Sequence, residues 1–295
     1  MIQRSKGEKV FGVFNYIILS FFAISTLYPF LYTATMSVST EAAAQAVGLH
    51  IFPDFNRVTL DPYKMVFQNK EIWTAYCYTM FRAVVGTLLA LFVTCFYGYG
   101  LSRPKLPFKK FFTVYIMITM MFSAGQIPVY LNIKSLGLIN SIWVYVLPGT
   151  IACYNVLIAK SFFASLPESL NESARIDGAG ELRIFFQIIV PLSKPIIMTL
   201  ALWNAVSHWN QWLDSVLYMT DSRKIVVQHY LQRIINEGQT NLITDVGASA
   251  EDATELTPET IKAASIIVVV VPILAAYPFI QKYFVTGVTL GAVKG

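Results

Sequence analysis

Asn171–Pro195 reads NESARIDGAGELRIFFQIIVPLSKP, a polar and charged island set between two long apolar runs. The runs on either side decide the fold class. Across its 295 residues the chain is 55% hydrophobic and only 13% charged, with a mean hydropathy of +0.55, whereas soluble domains carry about 25% charged residues. Apolar stretches of roughly 20 residues can cross a bilayer as helices. The length accommodates about six of them with their loops, so the expectation is an all-α membrane protein with six transmembrane helices forming one domain over 1–295.

Within the island, Ser165 and Glu168 have the spacing of a capping box, which predicts a short helix from Leu166 to about Ile176. Leu166, Leu170 and Ala174 fall on one side of it, and Glu172 and Arg175 are placed to pair at i, i+3. Gly178 and Gly180 then permit a sharp turn. A helix lying on the membrane surface is one reading, but a docking element for a cytoplasmic partner accounts better for the carboxylates and glycines.

Outward from the island, the first crossing is expected over Phe11 to about Met36, behind the basic head MIQRSKGEKV. A cleaved signal peptide competes, since Ala42, Ala43 and Ala44 follow the run. Its length of about 26 residues exceeds a typical signal-peptide apolar region of roughly 7–15, which favours an uncleaved helix. Thr74 to Leu101 is the second crossing, with Arg82 near its outer end, where snorkelling or pairing within an assembly is more favourable than a charge in lipid. Phe111 to about Ile127 is the third; SAGQIP (123–128) loosens its outer end, and a short amphipathic piece follows that Gly137 can end. Asn140 and Ser141 can cap the fourth, which passes Pro148 and Gly149 and ends near Phe163. The fifth starts near Phe186, bends at Pro191 and Pro195, and continues to about Tyr218. The sixth covers about Ile261 to Phe284.

Segments 37–73 and 220–262 are long loops. Asp61-Pro62 starts a short helix through Phe67 in the first. In the second, KIVVQHYLQRIINEG places Val226, Val227, Tyr230, Leu231, Ile234 and Ile235 at helical spacing, with Gly238 as a stop. Placing the N-terminal head, the loop after Leu101, the island and the C-terminal tail on one side gives that side the larger share of the 22 Lys and Arg. The positive-inside rule makes it cytoplasmic. Both termini then face inward, 165–185 is a cytoplasmic segment between crossings four and five, and the two long loops lie outside.

The fifth crossing carries polar residues that lipid would penalise. At about 100° per residue, Trp203, Ser207, Asn210 and Asp214 fall in one stripe, and Asn204, His208, Gln211 and Ser215 in a second beside it. Sugars present apolar ring faces and many hydroxyls, which suits an aromatic surface beside amides, a hydroxyl and a carboxylate. A polar contact between helices would use the same arc, and His208 fits either role. Trp209 and Trp212 point away from the first stripe, as outer-interface anchors would. No catalytic or metal site is expected. His208 and Asp214 lie about 9 Å apart along one helix, too far for a catalytic hydrogen bond; His50 and His229 lack ligand spacing; and Cys77, Cys95 and Cys153 read as small apolar packers.

Glu172, Ser173, Ala174, Asp177, Gly178, Ala179, Ile188, Pro191 and Pro195 closely resemble the EAA signature of the membrane subunits of bacterial ABC importers, with Ser173 where the pattern has its first Ala. GTLLALFVTCFYGYGLSRP, IPVYLNIKSLGLINSIWVYVLPG, HWNQWLDSVLYMTD and QKYFVTGVTLGAVKG look like the carbohydrate-importing branch that includes maltose-type permeases, and the IKSLGL and HWNQW stretches look most like permeases for complex oligosaccharides such as uronides. The resemblance implies a permease subunit in a bacterial cytoplasmic membrane. It implies a related second permease, two ATP-binding subunits and an extracytoplasmic sugar-binding protein as partners, with lipid around the bundle and no nucleic acid. It also implies that Glu172, Ser173, Ala174, Asp177, Gly178 and Ala179 couple to the ATPase. The chain lacks G-x-x-x-x-G-K-S/T and a complete G-x-G-x-x-G, so it is not expected to be an enzyme or to hold a cofactor; ATP and Mg belong on the partner. The competing class is a channel or secondary transporter needing no ATPase, with Arg82 and Asp214 as charge-carrying groups.

Overall fold

The computed structural model describes residues 6–44, 51–54, 57–236 and 257–292, and the regular structure there is helical apart from an isolated bridge between Ser39 and Val58. Three helices are long and apolar enough to cross a membrane: Gly7–Ser37, Lys70–Ser102 and Pro258–Ala275, the last continuing to Ala292. Two further candidates are bent pairs, Lys109–Met121 with Gln126–Ser135 at 114°, and Glu181–Leu192 with Lys194–Asn210 at 82°. Cys153–Ala164 is shorter.

Contacts divide the chain into two compact units. The first comprises Met1–Ile72 and Leu231–Val271. Its N-terminal helix, Lys6–Ser37, leaves its apolar residues uncovered, Phe11, Phe14, Phe21 and Phe30 among them. Its C-terminal end is tied down: Ser37 Oγ shares a 2.7 Å hydrogen bond with Tyr63 Oη, and Thr59 N donates to Val38 O at 2.9 Å. The expected short helix forms at Asp61–Gln68 with Pro62 in its first turn, where a missing N–H costs nothing. The Lys64 ammonium and the Thr59 hydroxyl, both bonded to Asp61, hold its carboxyl below the usual range.

The second unit, Trp73–Tyr230 with Pro272–Gly295, carries the residues singled out for function. Its scaffold is the long helix through Ser102 packed on Cys153–Ala164. A Cβ on Gly98 would come within 2.8 Å of Ala159 Cβ, so the two backbones approach through small residues. Cys95, Tyr99, Ala159, Phe163, Ile184, Phe185, Ile189 and Leu200 form one core at this end of the unit. Ile133, Val144, Tyr145, Val146, Tyr218, Met219 and Val226 form another. Of the cysteines, Cys95 is a core packer, Cys153 is half-buried and Cys77 is exposed rather than packed.

Several expected helices are interrupted, each for a local reason. Gly125 adopts φ +83°, which turns the third apolar run sharply after Met121, and Gly137 at φ +69° closes the following piece as expected, although Gln126–Ser135 buries only Ile133 and is not amphipathic. The fourth run does not start at Asn140 and Ser141. Ser141 caps only a single 3-10 turn, Ile142–Tyr145, and the helix proper begins at Cys153, beyond Pro148 and Gly149. The fifth run turns by 82° at Ser193, between Pro191 and Pro195. It then breaks again at Gln211 and Trp212 before a short helix, Leu213–Tyr218. The loop helix Val227–Asn236 forms and buries Val227, Tyr230, Leu231 and Ile234, whereas its expected stop at Gly238 lies outside the described residues, as does His50.

Candidate functional site

The island folds as a helix, a turn and a second helix. The capping box does not form: the first helix is Glu168–Ile176 behind Pro167, and Ser165 instead turns its hydroxyl back to Phe162 O at the end of the preceding helix. The helix closes with Gly178 N donating to Arg175 O at 3.0 Å and Ala179 N donating to Ala174 O at 2.9 Å. Such a closure requires a left-handed residue, and Gly178 supplies it at φ +77°, while Gly180 caps the next helix in extended backbone. Ala174 is buried in the core with Ile184 and Phe185, and Ala179 packs against the same cluster. Glu172, Ser173, Asp177 and Gly178 face outward, with Ile176 beside them at 86% exposed.

Arg175 does not pair with Glu172. It reaches across the turn to Glu181, at 2.6 Å, and so fastens the two halves of the segment together. The Glu172 and Asp177 side chains make no hydrogen bond or ion pair among the described residues, so both carboxylates remain available.

Beyond Ser193, the helix Lys194–Asn210 runs alongside a cavity of about 510 Å³ within the same unit. Trp203, Asn204, Ser207, His208, Gln211 and Asp214 line it together with Arg82, Tyr145 and Asn155. The break at Gln211 frees that residue's carbonyl from intrahelical bonding, and Arg82 Nη1 donates to it at 2.9 Å. The same guanidinium forms a two-pronged ion pair with Asp214, donating from Nη1 to Oδ1 at 3.2 Å and from Nη2 to Oδ2, and its Nε lies 3.4 Å from His208 Nδ1. The Tyr145 ring lies 5.2 Å from Arg82 Cζ, within cation–π range. Arg82 is therefore a buried, fully paired group, not one that snorkels.

The two stripes expected from an unbroken helix are redistributed. Asn210 is exposed, is absent from the cavity wall and returns its amide to Val206 O. Ser215 is buried and bonded to Tyr145 Oη and His229. Trp203 stacks on Tyr154, with centroids 6.3 Å apart and 23° between planes. Trp209 is buried 6.3 Å from Tyr76 rather than standing at an interface, and Trp212 remains partly exposed. Tyr145, Asn155 and Gly86 escaped the sequence reading. Gly86 was legible in principle as a glycine inside an apolar run: a Cβ there would meet His208 Nε2 at 2.5 Å. It ends a π-helical turn, Arg82–Gly86, of the kind that re-aims side chains at functional sites.

The family of binding-protein-dependent transport system inner membrane components matches residues 4–290. Among curated proteins of Bacillus subtilis, the polygalacturonan/rhamnogalacturonan transport system permease protein YtcP is 36% identical over 98% of this chain and 99% of its own length. Protein LplC is 38% identical over 100% and 98%, and the galactooligosaccharides transport system permease protein GanQ is 31% identical over 96% and 95%. A chain of a bacterial ABC transporter involved in the import of the acidic polysaccharide alginate superposes with a TM-score of 0.87 at 30% identity, covering 96% of this chain and 100% of that one.

Proposed function

The chain belongs to the family of binding-protein-dependent transport system inner membrane components, and from that membership we propose that it is the permease subunit of an ATP-driven importer carrying an oligosaccharide through the cavity beside Lys194–Asn210. It resides in the bacterial cytoplasmic membrane and works with a related second permease, two ATP-binding subunits and an extracytoplasmic sugar-binding protein. The three long helices, the two bent pairs and Cys153–Ala164 make the six crossings. Both termini and segment 165–185 are cytoplasmic, and the two long loops face the binding protein. The exposed apolar flank of Lys6–Ser37 suits lipid or the second permease.

One observation carries this reading. The outward-facing group Glu172, Ser173, Asp177 and Gly178 leads within a few residues into Glu181–Leu192 and then Lys194–Asn210, whose Trp203, Asn204, Ser207 and His208 line the cavity. Carboxylates free of internal partners can make charge-assisted bonds to basic groups on an ATPase. ATP-driven closure of the two ATPases would then displace the segment and the helix that follows it. Trp203, the amides of Asn155, Asn204 and Gln211, and the paired Arg82 and Asp214 line that cavity, a surface suited to sugar rings and hydroxyls.

Reconstitution of the complete importer in liposomes tests the proposal, with oligosaccharides screened for stimulated ATP hydrolysis and uptake. Fragments of acidic polysaccharides are the first to try, given the relatives named for polygalacturonan/rhamnogalacturonan and alginate. Uptake of a sugar by the purified chain alone, without ATP, would overturn the reading in favour of a secondary transporter or channel.

A further inference from the structure

Arg103 caps the Lys70–Ser102 helix and reaches both helices of the coupling segment. Its Nη2 donates to Asn171 Oδ1 at 2.9 Å and lies 3.5 Å from Glu181 Oε2, and its Nη1 lies 3.8 Å from Glu168 Oε2. The guanidinium also stacks over the Tyr99 ring, 4.3 Å from Cζ to centroid, and donates to Tyr99 Oη, which in turn donates to Glu181 Oε2 at 2.8 Å. Asn171 is buried on the same side of its helix as Ala174 and also donates to Glu168. One planar fork thus addresses acceptors on two helices at once, which a lysine ammonium at the end of a flexible stem would not reproduce.

We propose that Arg103 is a second grip of the coupling segment on the membrane bundle, delivering the segment's displacement into the Lys70–Ser102 helix in addition to the direct chain connection into Lys194–Asn210. The inference rests on the coupling role given to that segment above. Arg82 lies about 30 Å further back along the same helix at roughly 1.5 Å per residue, where it holds Asp214, His208 and the Gln211 carbonyl. A single helix is therefore fastened to the pushed segment at one end and to the cavity wall at the other. Two helices bordering the cavity, and not one, receive the stroke. Arg103 acts through others and is a positioning residue.

The test is uptake per ATP hydrolysed by the complete importer in liposomes, measured for Arg103→Lys, Arg103→Ala and Asn171→Ala. The expected result is near-parental hydrolysis with uptake per ATP falling about tenfold in both Arg103 variants and by a smaller factor in Asn171→Ala. If the Arg103 variants fail to assemble, Asn171→Ala decides by the same ratio. An unchanged ratio overturns the proposal, as does a parallel loss of hydrolysis and uptake across all three variants, which marks a purely structural contact. A Gly178→Val importer run alongside separates the two failures. If it uncouples while the Arg103 and Asn171 variants do not, only the second grip falls; if none uncouples, the coupling reading falls with it.

Discussion

Arg82 and Asp214, 132 residues apart in the chain, meet as a two-pronged ion pair in the cavity wall, with side chains only 4% and 14% exposed. Removing one partner leaves a buried charge unpaired, at a cost of about 3–5 kcal/mol, whereas replacing both by apolar groups is often close to neutral. Asp214→Ala is therefore expected to lower the melting temperature of the detergent-solubilised protein sharply, and Arg82→Met with Asp214→Leu to recover most of the loss. A double variant no more stable than Asp214→Ala would contradict the pairing.

Gly86 makes room for His208. Gly86→Ala places a methyl group 2.5 Å from Nε2 of the ring, and overpacking of this kind costs about 1–3 kcal/mol. The substitution should lower thermal stability and uptake together. Shortening the ring in Gly86→Ala with His208→Ala should restore stability but not uptake, so equal melting temperatures for the parent and Gly86→Ala would show that the contact is absent.

Gly178 is open to solvent on the side where a Cβ would project, with nothing within 4 Å, but its φ of +77° disfavours any other residue by about 1–2 kcal/mol. Gly178→Val should leave the bundle folded and membrane-inserted while reshaping the end of the helix Glu168–Ile176, which is proposed to couple to the ATPase. Hydrolysis without uptake, or failure to co-purify with the ATPase, is the expected outcome; normal coupled transport would refute it.

Trp203 lines the cavity and stacks on Tyr154. Trp203→Ala should raise the sugar concentration needed for half-maximal uptake about fivefold, the equivalent of ~1 kcal/mol of lost stacking. Asn210→Ala, whose parent side chain returns to its own helix, should change it far less. Equal effects at the two positions would place the path elsewhere.

Gly98 marks the closest approach of two helices. A larger residue there would push against Ala159 Cβ at 2.8 Å and the Lys160 backbone at 3.1 Å, neither of which can swing aside. Gly98→Leu should therefore separate the helices and reduce the yield of folded protein, which size-exclusion chromatography of the solubilised chain would detect.

Composition and the lengths of the apolar runs were enough to announce a helical membrane protein, and the resemblance carried by Glu172, Asp177 and Gly178 was enough to single out the segment proposed to couple to an ATPase. Local chemistry also foretold the turns that depend on a single backbone position: Gly178 and Gly137 in left-handed geometry, and the bend between Pro191 and Pro195. Hydrogen-bonding partners were read less well. Ser165 and Glu168 have the spacing of a capping box, yet the hydroxyl satisfies the helix before it. Arg175 chose Glu181 across the turn over Glu172 on its own helix.

Helical periodicity also assumed that the fifth run continues unbroken to Tyr218, so it placed Asp214 on one continuous stripe with Trp203, Ser207 and Asn210. The chain instead breaks at Gln211, and Asp214 meets Arg82 from the short helix that follows, while Asn210, on the same helix as Trp203 and Ser207, returns its amide to Val206 O and does not line the cavity. By itself the sequence determined which segments are apolar, where the charged segment interrupts them and which glycines must turn, because those follow from side-chain solubility and from backbone sterics within a few residues. Only the tertiary structure decided that Arg82 neutralises Asp214, that Gly86 admits His208 and that Arg103 spans Asn171 and Glu181. Those pairings join residues dozens of positions apart, and a buried charge selects whichever partner the packed helices bring within hydrogen-bonding reach.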